Sequence, residues 1–209
     1  MYPSIFTLSP GNQSLSKPRK KTPSIGQVRI IGGRWRSRRL SFPAAPGLRP
    51  TGDRLRETLF NWLSPQLPGA RCLDLFAGSG ALGIEAASRG AAAVVLVERD
   101  SAVVAALKQN CTRLAATAIE IVHTEALAWL EAPGKAYPPF DIVFLDPPFA
   151  TDLVALAGQR LAADHWLAPG ALIYVERAVN SVGDRLPGNW RLLRTQPAGQ
   201  VACHLYQVV

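Results

Sequence analysis

The sequence predicts an α/β fold: a mostly parallel sheet of seven strands that finishes in an antiparallel C-terminal pair, with a small N-terminal β-hairpin extension. Three observations predict it. From residue 71 onward, apolar runs of strand length alternate with stretches of helical periodicity, the pattern of βαβ units around a parallel sheet covered on both faces. A glycine turn, Gly78-x-Gly80-x-x-Gly83, joins the first of those strands to the first of those helices. Two last extended runs, Trp190–Thr195 and Val201–Val208, are separated by Pro197-Ala198-Gly199 and read as a hairpin.

At 209 residues the chain suffices for one good core. Charge is the informative part of its composition: of 23 Lys and Arg, ten fall within residues 1–52, which hold no Asp or Glu, so the net +8 comes from the front. A basic arm on a nearly neutral domain is an electrostatic footprint for a polyanion. With no amphipathic helix or long apolar run beside it, nucleic acid is favoured over a membrane surface. No stretch approaches the ~20 apolar residues of a membrane span, and no continuous apolar signal segment opens the chain, so a cytoplasmic protein is expected. Cys72, Cys111 and Cys203 form no C-x-x-C pair and read as small buried hydrophobes; no metal is expected.

Taken in order, residues 1–24 are rich in Pro, Ser and Lys, lack periodicity and read as a disordered basic leader. Val28 to Phe42 gives two extended runs around Gly32-Gly33, a hairpin signature, with Arg34, Trp35, Arg36, Arg38 and Arg39 in its second arm. Cationic side chains bind phosphate oxygens, and an exposed Trp can stack on an unpaired base. A charge run is usually a solvated face, but this one lacks acids, which favours RNA contact. Leu55, Leu59, Trp62 and Leu63 then recur at helical spacing, with Thr51 or Asp53 to cap the start and Pro65 past the end. Arg54, Arg56 and Thr58 lie on another part of that helix, where they could face a pocket mouth. Further strands are expected near 71–76, 93–98, 119–123, 141–146 and 171–176, and helices near 80–89, 101–114, 124–131 and 151–163.

The glycine turn outlines a nucleotide pocket. Glycines let the backbone turn and approach a ligand, the helix that follows points free N–H groups at it, and Glu98 ends the next strand twenty residues after Gly78, where a ribose-binding carboxylate belongs. Asp74, inside the strand ahead of the glycines, argues against NAD. The segment Asp74-Leu75-Phe76-Ala77-Gly78-Ser79-Gly80 resembles the D-x-F-A-G-S-G turn of class I S-adenosylmethionine (SAM) methyltransferases, a Rossmann-like family. That resemblance implies SAM as cofactor, held by Asp74, Phe76, Ala77, Gly78, Ser79, Gly80, Glu98 and Arg99, by Glu125 and Ala126 near the adenine, and by Thr58. A carboxylate near the loop complements the cationic end of SAM directly or through water.

The fourth strand ends in Asp146-Pro147-Pro148-Phe149, which has the [DNS]-P-P-[YFW] form of amino-group methyltransferases. An exocyclic base amine is a poor nucleophile because its lone pair is delocalised into the ring. If the Asp146 carboxylate and the Pro147 carbonyl each accept one N–H, the nitrogen turns pyramidal and aims its lone pair at the methyl, while Phe149 stacks on the base.

Arg29-Ile30-Ile31-Gly32-Gly33-Arg34-Trp35 and Arg49-Pro50-Thr51-Gly52-Asp53-Arg54-Leu55-Arg56-Glu57-Thr58-Leu59-Phe60-Asn61-Trp62-Leu63 are more discriminating. With them, residues 28–209 resemble the RsmD family, bacterial methyltransferases that modify the N2 amine of one guanine in small-subunit (16S) ribosomal RNA. The resemblance implies the small subunit or its late precursor as partner, RNA contacts through Arg34, Trp35, Arg36, Arg38, Arg39, Arg54 and Arg56, and a monomer. It divides the chain into the leader (1–24), an RNA-binding hairpin extension (25–48) and the SAM-dependent methyltransferase domain (49–209). Rival readings are an adenine-N6 or other nucleic-acid amino methyltransferase, a methyltransferase of protein amides, which would prefer Asn at position 146, and a non-catalytic RNA-binding assembly factor. A nicotinamide oxidoreductase lacks any hydride-transfer set here.

Overall fold

Runs such as Val94-Val95-Leu96-Val97 are apolar on both sides of a strand, so they need cover on both faces, and the chain supplies it with helices. The computed structural model describes residues 25–43, 52–132, 137–148, 152–179 and 186–209. The leader (1–24), the segment 44–51 with its candidate cap Thr51, and the candidate stacking residue Phe149 lie outside the described residues.

The elements in order are β1 (Ile25–Arg29), β2 (Arg39–Pro43), α1 (Asp53–Leu63), β3 (Arg71–Asp74), α2 (Gly83–Ser88), β4 (Ala93–Glu98), α3 (Ser101–Leu114), β5 (Ile119–His123), α4 (Ala126–Glu131), β6 (Phe140–Leu145), α5 (Leu153–Ala163), β7 (Leu167–Ala178), β8 (Trp190–Ala198) and β9 (Val201–Val208). Seven strands form one sheet in the order β5-β4-β3-β6-β7-β9-β8. β3 to β7 run parallel, and β9 lies antiparallel between β7 and β8, as expected. One face packs Cys72, Leu96, Phe144 and Tyr174 against Phe60 of α1, Ile84 of α2 and Leu107 of α3. The opposite face packs Leu73, Val95, Val143 and Ile173 against Trp129 of α4 and Leu161 of α5. Crossovers in a parallel sheet bring every strand's carboxyl end to one edge, so Asp74, Glu98, His123 and Leu145 end on the same rim.

β1 and β2 pair antiparallel, Arg29 opposite Arg39. They are not joined by a tight Gly32-Gly33 turn: residues 30–38 intervene and include a short 3-10 turn at Gly33–Trp35. Long-range bonds override the local glycine signal. The Glu85 carboxylate, fully buried in α2, accepts the Ile31 and Gly32 N–H groups at 2.7 Å each. Ser88 Oγ accepts the Trp35 N–H at 2.9 Å and donates to the Gly32 carbonyl at 2.6 Å. Gly33 sits at φ +75°, and a Cβ there would come within 1.9 Å of the Ser88 carbonyl oxygen, so this close approach requires glycine. Val28, Ile30, Trp35, Leu40 and Phe42 join the α1–α3 core, so the hairpin is packed into the domain and is not a detached arm.

Three cations bind this junction together. Arg56, 1% exposed, lies 2.7 Å from Asp53 and 3.6 Å from Glu85, and donates to the Arg29 carbonyl at 2.8 Å. Arg89 Nε donates to Glu85 at 2.7 Å, and Arg29 pairs with Asp53 on the surface. Removing one partner of a buried ion pair leaves the other charge uncompensated, which costs about 3–5 kcal/mol. Arg56→Met is therefore expected to lower unfolding stability by about 3 kcal/mol or more in urea titrations, and a change below ~1 kcal/mol would show that Glu85 does not depend on it.

Candidate active site

The rim is built by strand register. Asp74 of β3 lies beside Leu96 of β4 and Phe144 of β6, so the chain segments that follow these positions, 75–83, Val97–Glu98 and Leu145–Pro148, emerge next to one another. Gly78 (φ +49°) and Gly80 (φ +76°) adopt the left-handed backbone that lets residues 77–82 fold tightly beneath the rim. Two turn bonds close the loop: Ala77 N–H to the Val97 carbonyl at 2.9 Å and Gly80 N–H to the Ala77 carbonyl at 2.7 Å.

Asp74 is 2% exposed and does a different job from the one expected. Its Oδ2 accepts the Gly83 N–H at 2.9 Å, so the first N–H of α2 is satisfied from within and is not offered to a ligand. α2 starts at Gly83 rather than 80. A Cβ on Gly83 would stand 2.2 Å from Leu96 Cδ2 and 3.1 Å from Asp74 Oδ2, which explains the third glycine of the motif as a packing requirement. Burial pushes the Asp74 carboxyl up to about 7; Glu98 adds to the rise, while the Gly83 and Phe76 N–H groups oppose it.

Glu98 bridges the turn and the next helix: Oε2 accepts the Gly78 N–H at 2.9 Å and Oε1 the Asp100 N–H at 2.8 Å. Asp100 in turn caps α3 through the Ala102 and Val103 N–H groups. The end of β5 closes this side. His123 Nε2 bonds the exposed Arg99's carbonyl oxygen at 3.1 Å, the Thr124 N–H reaches the Glu98 carbonyl, and Glu125 caps α4 by accepting the Ala128 N–H at 2.9 Å, with Ala126 buried behind it. Glu98 thus touches the glycine turn, while Arg99 follows Glu98 and Glu125 and Ala126 stand at the end of the neighbouring strand β5. The strand order β5-β4-β3 sets Glu98 between the β5 end and the glycine turn, a row of acceptors that suits a group carrying ribose hydroxyls and an adenine amine. Thr58 stands apart on α1, where its hydroxyl donates to the Arg54 carbonyl of its own helix.

On the other side of the turn, Asp146 and Pro147 continue β6, with Asp146 half-buried, Pro147 buried and Pro148 exposed. Asp146 comes two residues after Phe144, the register partner of Asp74, so the Asp-Pro-Pro segment leaves the strand adjacent to the one that carries the glycine turn. The two motifs, seventy residues apart in sequence, are neighbours in space.

The arginine-rich arm divides. Arg34, Arg36, Arg38, Arg39 and Arg54 are exposed. Arg34 lies over the Trp35 ring, its guanidinium carbon 4.5 Å from the centroid, and donates to the Ala115 carbonyl; Arg39 bonds Gln27. Trp35 and Arg56 depart from the expected RNA contacts: the Trp35 side chain packs into the α1–α3 core, and the Arg56 guanidinium is held by Asp53, Glu85 and the Arg29 carbonyl. Trp35 is drawn inward because the 3-10 turn sets it against α2, and Arg56 because Glu85 lies beneath it. Glu85 and Ser88 belong to no motif, and their signal in the sequence is that they are the polar residues of the small-residue helix Gly83–Ser88. Glu176 likewise belongs to no motif. It follows the apolar run Ala171–Val175 as Asp146 follows Ile142–Leu145, and it is 6% exposed.

Three comparisons bear on this site. A family model described as "Conserved hypothetical protein 95" matches residues 28–207. The chain is 51% identical over 182 residues (87% of this chain, 90% of the other) to "Ribosomal RNA small subunit methyltransferase D" of Escherichia coli (strain K12). It is 46% identical over 190 residues (90% and 97%) to the protein of the same name in Haemophilus influenzae. Among solved structures, "Putative methyltransferase yhhF from Escherichia coli" superposes with a TM-score of 0.81 at 48% identity, over 88% of this chain and 98% of that one.

Between pH ~4 and ~7 the folded chain keeps a proton on Asp74 that the unfolded chain has released, so this group's stabilising contribution is full at low pH and is lost as pH rises through about 7. At ~1.4 kcal/mol per pKa unit the loss is at most about 4 kcal/mol. In urea titrations the gap between wild type and Asp74→Asn should shift in favour of the variant from pH 4 to pH 8. A gap that stays constant would contradict the raised carboxyl.

Proposed function

The chain belongs to the ribosomal RNA small subunit methyltransferase D family, and from that membership we propose that it transfers a methyl group from SAM to the exocyclic N2 amine of a guanine in the 16S RNA of the small ribosomal subunit or its late precursor. It is a methyltransferase with the mostly parallel, antiparallel-ended sheet of that enzyme class. The observation that carries the reading is the adjacency of the glycine turn after β3 and Asp146-Pro147 after β6 on one rim. That adjacency suits a reaction between a nucleoside cofactor and an amine, with Gly78–Gly80, Glu98 and Glu125 on the cofactor side.

When bound, SAM supplies an electrophilic methyl on a sulfonium sulfur. The chain's own groups supply position and polarity. Asp146 and the Pro147 carbonyl accept the two hydrogens of the guanine amine, drawing the nitrogen out of conjugation so that its lone pair points toward the cofactor side. On transfer the methyl would pass to the amine nitrogen, and its bonding electron pair would stay on the sulfur of SAM. The surplus proton on nitrogen leaves along the hydrogen bond to Asp146. Two consecutive prolines hold the carbonyl still, because their φ is locked and neither offers an N–H. Asp74, taken up with Gly83, serves the cofactor through the shape of the loop.

RNA binding falls to the exposed face of the hairpin. Arg34, Arg36, Arg38, Arg39 and Arg54 offer phosphate contacts, while the buried clasp beneath them keeps that face fixed relative to the rim. A reading as an RNA-binding assembly factor would use the arginines and leave Asp146 idle.

Two experiments test this. With labelled SAM and small subunits from cells lacking the enzyme, wild type should label the RNA, and Asp146→Ala should lose at least a hundredfold in transfer while binding SAM as before. Equal transfer by the variant would remove the assigned role. Charge reversal at Arg36 and Arg38 should weaken small-subunit binding roughly tenfold or more and flatten its salt dependence by about one unit of slope per lost phosphate contact, leaving SAM affinity unchanged. Unaltered binding would return the hairpin to a solvated face.

A further inference from the structure

Beside Asp146 the sheet carries a second acid. β6 and β7 run in parallel register through Phe144 opposite Tyr174 and Leu145 opposite Val175, so the next residues in each strand are Asp146 and Glu176. Phe144 and Tyr174 share the α1–α3 face of the sheet, their rings 6.3 Å apart, and residues two further along a strand return to the same face. Asp146, the first residue past β6, and Glu176 of β7 therefore leave one step beyond the last register pair, about 4.8 Å apart at the backbone if the strand spacing continues. Glu176 is 6% exposed, and its Oε2 accepts the Tyr174 hydroxyl at 2.9 Å. Burial first, then Glu176 and Asp146 in turn, push the Tyr174 phenol well above its ordinary range, so both acids act on the same ring.

We infer that Glu176 is a specificity residue, accepting the ring N1–H of the target guanine while Asp146 accepts its amine. This rests on the guanine-N2 reading above. Guanine alone among the four bases presents two donors side by side, N1–H and N2–H, on its Watson–Crick edge, and RNA bases splayed out of a strand are read on that edge. Adjacent acceptors on adjacent strands complement that pair. Adenine would turn the N1 lone pair toward the Glu176 carboxylate, setting acceptor against acceptor in a buried site. Sites built to hydrogen-bond a substrate group reject the analogue lacking it far more strongly than an apolar pocket rejects a size change. Tyr174 is the positioning residue in this arrangement, fixing the Glu176 carboxylate from below through its hydroxyl. The plain alternative is that Glu176 serves only as acceptor for the Tyr174 hydroxyl, in which case the base at the site would be indifferent to it.

The experiment uses the full-length protein and small subunits reconstituted with 16S RNA that carries, at the guanosine the wild type methylates, either guanosine or 2-aminopurine riboside. The second retains the 2-amine but has an N1 acceptor. Wild type should prefer guanosine at least a hundredfold in kcat/KM; equal rates on the two would overturn the inference without any variant. Glu176→Gln keeps the shape, and its amide can donate to an N1 acceptor. It should lose roughly tenfold or more on guanosine, and its preference over 2-aminopurine should shrink at least tenfold, with SAM affinity unchanged. A variant that keeps the wild-type preference would overturn the inference. If wild type methylates neither particle, the guanine reading itself fails, an outcome distinct from loss of discrimination.

Discussion

The structure depends most on one buried carboxylate. Glu85 is fully enclosed, yet it accepts two backbone N–H groups from the hairpin loop and faces two guanidinium groups, one from α1 and one from its own helix. A lone charge at such a site would cost several kcal/mol, so hairpin, α1 and α2 must arrive together for any of them to be stable there. α2 is also the helix that leaves the glycine turn. The hairpin that carries the exposed arginines is thus bonded directly to the helix that leaves the glycine turn.

The same economy of placement governs the rim. Parallel register brings Asp74, Glu98, Asp146 and Glu176 to one edge, but burial and partners give each a separate task. Asp74 turns inward to the Gly83 N–H; Glu98 and Glu125 accept backbone N–H groups at the ends of β4 and β5; Asp146 is half-buried. A DNA adenine methyltransferase would share the first three features. The second acid level with Asp146 is what an adenine edge would not match.

Most of the sheet was legible in the sequence. Periodicity placed Ala93–Glu98, Ser101–Leu114 and Ile119–His123 with their bounds, because caps, apolar runs and turns agree locally there. The Asp-x-Phe-Ala-Gly-Ser-Gly and Asp-Pro-Pro motifs located the rim for the same reason. What stayed hidden was set by partners far away in the chain. Gly32-Gly33 looks like a two-residue turn until Glu85, over fifty residues on, takes the Ile31 and Gly32 N–H groups. Arg56 and Trp35 look like RNA contacts in a basic stretch, and only the folded position of α2 shows that both are buried. Asp74 reads as a ligand acid; its hydrogen bond to Gly83 spans nine residues, across a turn whose geometry no periodicity encodes.

Methylation of a guanine 2-amine in ribosomal RNA leaves one product, which nucleoside analysis of RNA from methylated small subunits identifies. After incubation with labelled SAM and digestion to nucleosides, the label should run as N2-methylguanosine alone. Label in N6-methyladenosine, in protein, or in another guanosine derivative would contradict the account.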